Sequence, residues 1–151
     1  MLDRAGEFSE FVVVVEPRLR QALAAACGLE DARDATADGL AYAWQHWDRV
    51  RTMANPAGYV YRVARSRARR RPRRPVFPEP SSSLPDVEPG LGPALAALPE
   101  RQRVAVLLVH GWDWSYAEAA DLMGISVSTL RNHLRRALER LRTALGVGID
   151  D

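Results

Sequence analysis

With 151 residues, 47% of them apolar, the chain can form one domain or two small ones with folded cores. No apolar run approaches the length of a membrane span, and the start MLDRAGEFSE lacks the basic region, apolar stretch and cleavage site of a secretory leader, so we expect a cytoplasmic protein without membrane insertion. Cys27 is the only cysteine, which excludes an intrachain disulfide and a cysteine zinc cluster, and the net charge of +2 is too small to name a partner.

In chain order, the stretch from Glu7 to Ala26 reads as helical through Phe8, Phe11, Val12, Val15, Leu19, Ala22, Leu23 and Ala26, with Gly28 as its stop. The β-branched run Val12 to Val15 and Pro17, which has no N–H to donate, predict a kinked helix or two segments meeting near Glu16. From Asp31 to Trp47 a second helix places Ala32, Ala35, Leu40, Ala43, Trp44 and Trp47 on one stripe. Asp34, Asp38, Ala41 and Gln45 step along another face, a mildly acidic strip open either to solvent or to a partner.

Asp48 to Ala54 is expected to be a loop. Asn55 and Pro56 then supply an N-cap and a proline at the first helical position. The helix they start turns Ala57, Val60, Val63, Ala64 and Ala68 to the core, leaves Tyr59 and Tyr61 partly available, and ends in RSRARRRPRRP. All 21 basic residues are arginine, and eight of them fall between Arg62 and Arg74 without one acid. Such a run is either a solvated tail or a track for a phosphate backbone.

The following stretch is rich in proline, serine and glycine, carries acids but no base, and has no apolar period, so residues 75 to 93 read as a linker. Two domains follow from it, 5 to 74 and 94 to 146. The second opens with a short helix near Ala94 to Ala97. Leu98-Pro99-Glu100 then starts a helix whose Val104, Leu107 and Leu108 face the core, with Gly111 as its stop. Trp112, Trp114 and Tyr116 are expected to help fill a small core.

The stretch SYAEAADLMGISVSTLRNHLRRAL, Ser115 to Leu138, predicts two helices joined by a tight turn. Ser115 and Glu118 form a capping-box pattern, Gly124 closes the first helix, and Ser126 caps the second. Ala120, Gly124 and Leu130 have the spacing of a helix-turn-helix: a small contact residue, a turn glycine and a large aliphatic anchor. Leu130, Leu134, Leu138 and Leu141 form the buried stripe, which leaves Ser128, Thr129, Arg131, Asn132, Arg135 and Arg136 for a DNA major groove. An ordinary helical hairpin with a solvated basic face is the alternative. His46, His110 and His133 show no ligand spacing, and neither a nucleophile arrangement nor a phosphate loop is visible, so no metal, cofactor or catalytic residue is expected.

The order of elements, in ARDATADGLAYAW, NPAGYVYRVARSRARR and ALAALPERQRVAVLLVHGWDWSYAEAADLMGISVSTLRNHLRRALERLR, resembles the sigma-70 family of bacterial RNA polymerase initiation factors. Within it the chain is most similar to the compact extracytoplasmic-function (ECF) group, which has only a region 2 and a region 4 domain. The resemblance implies an all-α fold of two small helical domains and a sigma factor that binds core RNA polymerase and promoter DNA. It implies that Asp34, Asp38, Ala41 and Gln45 dock on the largest polymerase subunit and that Asp48 to Asn55 captures a flipped base of the −10 element. Tyr59, Arg62, Arg65 and Arg69 would hold the melted strand, and Thr129, Arg131, Asn132, Arg135 and Arg136 would read the −35 element. Sequestration by an anti-sigma protein is common in the group, so such an inhibitor is among the implied partners. Ala37 and Asp38 stand where the family often has glutamine and glutamate, Ser66 replaces a frequent asparagine, and Pro72 interrupts the basic helix. A helix-turn-helix regulator that is not a sigma subunit, and a sigma-like adaptor without initiation activity, remain the alternatives.

Overall fold

In the computed structural model, residues 2–70 and 90–146 are described, and every regular element among them is helical. Helix α1 spans Arg4–Cys27, α2 Leu29–Gln45, α3 Trp47–Val50 and α4 Pro56–Arg70. The C-terminal half holds α5 Leu91–Ala96, α6 Glu100–Val106, α7 Tyr116–Met123 and α8 Val127–Leu145. The all-α expectation holds. Most of the expected linker and the arginines after Arg70 lie outside the described residues, but α5 begins inside the expected linker.

Helix α1 is one uninterrupted element, not two. Pro17 lies on its exposed side, next to the turn where Val13 and Val14 are 75% and 68% exposed. Pro17 has no N–H to offer the Val13 carbonyl, so the one helical hydrogen bond it removes lies on this exposed side. The buried side of α1, through Leu19, Ala22, Leu23 and Ala26, packs on α2 and α4. Gly28, at φ 92°, ends α1 and is followed directly by α2.

Helix α2 approaches α4 closely because Gly39 has no side chain. A Cβ there would stand 2.9 Å from that of Ala64. Trp47 opens the short helix α3, so part of the expected loop after Trp47 is helical. Phe8, Phe11, Trp44 and Trp47 form a ring cluster with centroid separations of 5.1–6.3 Å, joining the start of α1 to the end of α2. Tyr61 is buried and Tyr59 half-buried, so only Tyr59 is available as expected.

Helix α6 does not stop at Val106 but widens into a π turn over Leu107–Gly111. Of the three aromatics assigned to the small core only Trp114 is buried; Trp112 and Tyr116 are largely at the surface. The halves do not have separate cores. One apolar cluster runs from Val15 and Leu19 through Tyr61 to Val104, Leu108 and Leu130.

Candidate nucleic-acid interface

The helix-turn-helix is built as its residues dictate. The Ser115 hydroxyl accepts the Glu118 N–H at 3.0 Å, and a Glu118 carboxylate oxygen accepts the Ser115 N–H at 3.1 Å. These bonds, with the nearby Arg18, hold the Glu118 carboxyl below its usual range. Gly124 adopts φ 70° and donates its N–H to Asp121, while Ile125 donates to Ala120 at 3.0 Å, closing the helix as a left-handed glycine cap does. Ser126 accepts the Thr129 N–H at 3.1 Å and starts α8.

Leu130, Leu134 and Leu141 are buried as expected, with Ala137 beside them and Leu138 half-buried. The opposite side of α8 brings Ser128, Arg131, Asn132, Arg135 and Arg136 to the surface, with Thr129 half-buried. Thr129 is partly committed, since its hydroxyl accepts from Ser126 at 2.9 Å. Arg131 leans over the Tyr116 ring at 5.8 Å, and Arg135 pairs with Glu139 at 3.9 Å one turn on. Behind this face His133 is held toward its neutral form by burial and by Arg101 and Arg136.

A second basic face is formed by α2, α3 and α4. The Asn55 carboxamide oxygen accepts the Gly58 N–H at 3.0 Å, as an N-cap should. Gly58 leaves room for that cap, because a Cβ at this position would meet the Asn55 amide nitrogen at 2.4 Å. Tyr59 lies beside Tyr42 of α2, their hydroxyls 3.3 Å apart, and Arg49 donates to both, at 3.0 Å to Tyr42 and 3.1 Å to Tyr59. The hydrogen bond from Tyr59, reinforced by Arg49, draws the Tyr42 hydroxyl below the usual tyrosine range; the same bond pushes Tyr59 up. Arg67 sits 4.9 Å from the Tyr42 ring centroid and Arg62 6.0 Å from that of Tyr59. The sequence places Tyr59 and Arg62 here, and Arg49 only as part of the Asp48 to Asn55 loop; Tyr42 and Arg67 it does not place here. The pairing of Tyr42 with Tyr59 joins residues 17 apart on two helices, and nothing local signals it.

Arg65 and Arg69 are on α4 as expected, but both are paired with Glu100 of α6, Arg65 at 3.6 Å. Asp34, Ala41 and Gln45 are exposed along α2 and Asp38 is half-buried on the same helix, so the expected acidic strip is formed. Among the described residues no group of His, Cys, Asp or Glu is arranged to hold a metal ion.

Residues 91–141 match the family model described as sigma-70, region 4. The ECF RNA polymerase sigma factor RpoE of Cereibacter sphaeroides is 31% identical over 129 residues, covering 74% of this chain and 70% of that protein. The RNA polymerase sigma-E factor of Streptomyces antibioticus is 31% identical over 156 residues, covering 93% of this chain and 87% of that one. Among solved structures, the sigma factor RpoE from Bartonella quintana, crystallised with the anti-sigma factor NepR, superposes with a TM-score of 0.59 at 25% identity, covering 96% of this chain and 99% of that one.

Proposed function

Because the chain belongs to the ECF group of sigma-70 RNA polymerase sigma factors, we propose a division of labour between its two basic faces in starting transcription. As a sigma factor it binds core RNA polymerase and promoter DNA and directs promoter-specific initiation. Sigma factors are regulatory subunits and not themselves enzymes; on our reading this chain contributes binding and base capture but no bond-breaking chemistry, and works in the cytoplasm. No helix among the described residues is long and apolar enough to cross a membrane.

In our reading the −35 element is read by α8. Arg131, Asn132, Arg135 and Arg136, with Ser128 and Thr129 at the helix start, enter the major groove, arginines on phosphates fixing register and amide or guanidinium groups reading base edges. The −10 element is held by the α4 face with Asn55, Tyr59, Arg62, Arg65 and Arg69, extended by Tyr42, Arg49 and Arg67. Arg49, Arg62 and Arg67 have no carboxylate partner among the described residues, and two tyrosine rings lie between them. Uncompensated positive charge around aromatic rings suits a nucleotide taken out of the stack, its base on a ring and its phosphate on a guanidinium. Asp34, Asp38, Ala41 and Gln45 form the polymerase-docking strip. The functional units are 5–74 for docking and −10 capture, the linker 75–93, and 94–146 for −35 reading. An anti-sigma protein, as found with the Bartonella protein, is a further proposed partner.

The observation that carries the reading is the capped helix-turn-helix, with its polar α8 face exposed in a chain that matches sigma factors over most of its length. Run-off transcription with purified core polymerase on genomic fragments tests it, and we expect initiation at discrete sites. Stable polymerase binding without initiation would identify an adaptor, and duplex binding that needs no polymerase would identify a conventional regulator.

A further inference from the structure

The turn that carries Arg49 does not hold itself. Helix α3 has only four residues, and its N-cap residue His46 gives it no side-chain hydrogen bond. One turn alone does not repay the cost of nucleating a helix. Trp47 and Val50, three positions apart on one side of the turn, are buried, while Asp48, Arg49 and Arg51 are exposed. From this outer side one Arg49 nitrogen, Nη2, donates to the Tyr42 hydroxyl at 3.0 Å and to the Tyr59 hydroxyl at 3.1 Å. Hydrogen bonds of this kind are lost beyond about 3.5 Å, so a shift of α3 by about 1 Å breaks the bridge.

What holds the outer side of α3 is the first turn of α1. Asp3 caps that turn by accepting the Gly6 N–H at 2.8 Å, which gives Arg4 and Glu7 a fixed base. Arg4 donates to Asp48 at 3.4 Å and Glu7 accepts from Arg51 at 3.0 Å, so two residues three apart on α1 meet two residues three apart around Arg49. Each pair spans 44 positions, and the two have opposite polarity. Arg4 also donates to the Trp44 carbonyl at 2.7 Å, with its guanidinium 4.2 Å from the Trp44 ring centroid. Helix α2 has no basic residue in its last turn, so Arg4 supplies from another element the cation that its terminal carbonyls attract.

We infer that the first turn of α1 belongs to the −10 capture apparatus: Arg4 and Glu7 are positioning residues that set α3 so that Arg49 bridges the two phenols. The inference rests on assigning the Tyr42 and Tyr59 face to the melted strand. The partners of Arg4 and Glu7 are Asp48, Arg51 and Trp44, not the tyrosines, so both act on the site through the elements that carry it. The two ion pairs are solvent-exposed, with side chains 38–80% accessible, and such pairs add little to overall stability. Their effect is local, on where Arg49 stands. Glu7 also lies where an acid complements the α1 dipole, but that role needs no partner at Arg51.

The test uses holoenzyme assembled from core polymerase and the full chain, on a promoter recovered by run-off transcription. Permanganate reactivity of unpaired thymines measures opening, and gel retention in the cold measures closed-complex binding. In the free chain, hydrogen exchange of the 47–52 amides reports how firmly α3 is held. Arg4→Ala and Glu7→Arg should each slow opening about fivefold and speed exchange at 47–52, with closed-complex affinity within about twofold and the thermal midpoint within about 2 °C of wild type. Exchange in α8 should not change. Glu7→Arg combined with Arg51→Glu, which restores the pair with its charges exchanged, should open faster than either single variant, whereas a residue that only complements the dipole gains nothing from the exchange. Unchanged exchange at 47–52, normal opening despite faster exchange, or a double variant as slow as its slower parent overturns the positioning role. If run-off yields no promoter, or Tyr42→Leu opens like wild type, the initiation reading fails and the role in capture with it, while the exchange result still decides whether Arg4 and Glu7 hold α3.

Discussion

The two basic faces of this sigma factor carry the same side-chain type in opposite circumstances. On α8, Arg131, Arg135 and Arg136 are exposed, and the one ion pair among them is a weak, solvent-facing contact within the helix. On α4, Arg65 and Arg69 share a largely buried carboxylate from the other half of the chain. Both helices are rich in arginine, so local composition does not distinguish them. What separates them is the neighbour that tertiary packing brings: α8 has its own apolar stripe behind it and water in front, whereas α4 packs on α7 and meets Glu100 of α6 through Arg65 and Arg69. Arg65 is drawn under the other half, while Arg62, Arg67 and Arg69 beside it stay exposed.

The contrast depends first on the turn that places α8. Gly124→Val puts a β-branched residue at φ 70° and pushes its Cβ into Arg62. We expect a loss of about 2 kcal/mol or more, seen as a lower thermal midpoint, and an unchanged midpoint would remove the left-handed cap from the account. Next in size is the aromatic pair. With Tyr42→Leu the base platform is lost while Tyr42→Phe keeps the ring, so open-complex formation should fall about tenfold in the first and little in the second, in line with roughly 1–3 kcal/mol per stacked base. Equal effects of the two would assign the hydroxyl, not the ring, to the site.

A smaller effect is expected on the presented face. Arg136→Ala should weaken binding to the −35 element several-fold and lower the salt slope of binding by about 0.9 if it contacts one phosphate. A loss confined to one base position would instead make Arg136 a reader of sequence. Smallest is the pH response of the α7 cap. Because the Glu118 carboxyl is held below its unfolded value of 4.5, its contribution is complete above that pH and disappears as the pH falls through the lower folded value. Glu118→Gln should flatten the acid side of the stability profile, and a profile identical to wild type would show that the cap carboxylate does not contribute.

Much of the fold was legible because its signals are local. Ser115 with Glu118, Gly124, Ser126 and Asn55-Pro56 mark helix ends by hydrogen bonds that span three residues, and all four marks act as read. The exposed polar face of α8 was legible for a similar reason, since one helix with one apolar stripe leaves its other side chains outside. Where the reading failed, a neighbour decided. Of the two outcomes expected at Pro17, a kink or a break, the break is absent, and α1 runs on as one element. Trp112 and Tyr116 were assigned to the core, but packing of the two halves gave that place to Trp114 alone.

By itself, then, the sequence determined the longer helices, the caps at Asn55, Ser115, Gly124 and Ser126, and the turn between α7 and α8, because each depends on residues within one or two turns of one another. Only the tertiary structure decided that Tyr42 meets Tyr59, that Glu100 meets Arg65 and Arg69, and that Arg103 closes the end of α1. Those pairs join residues from 17 to 78 positions apart. Their meeting is set by which apolar faces bury together, a property of the assembled core that no single segment carries.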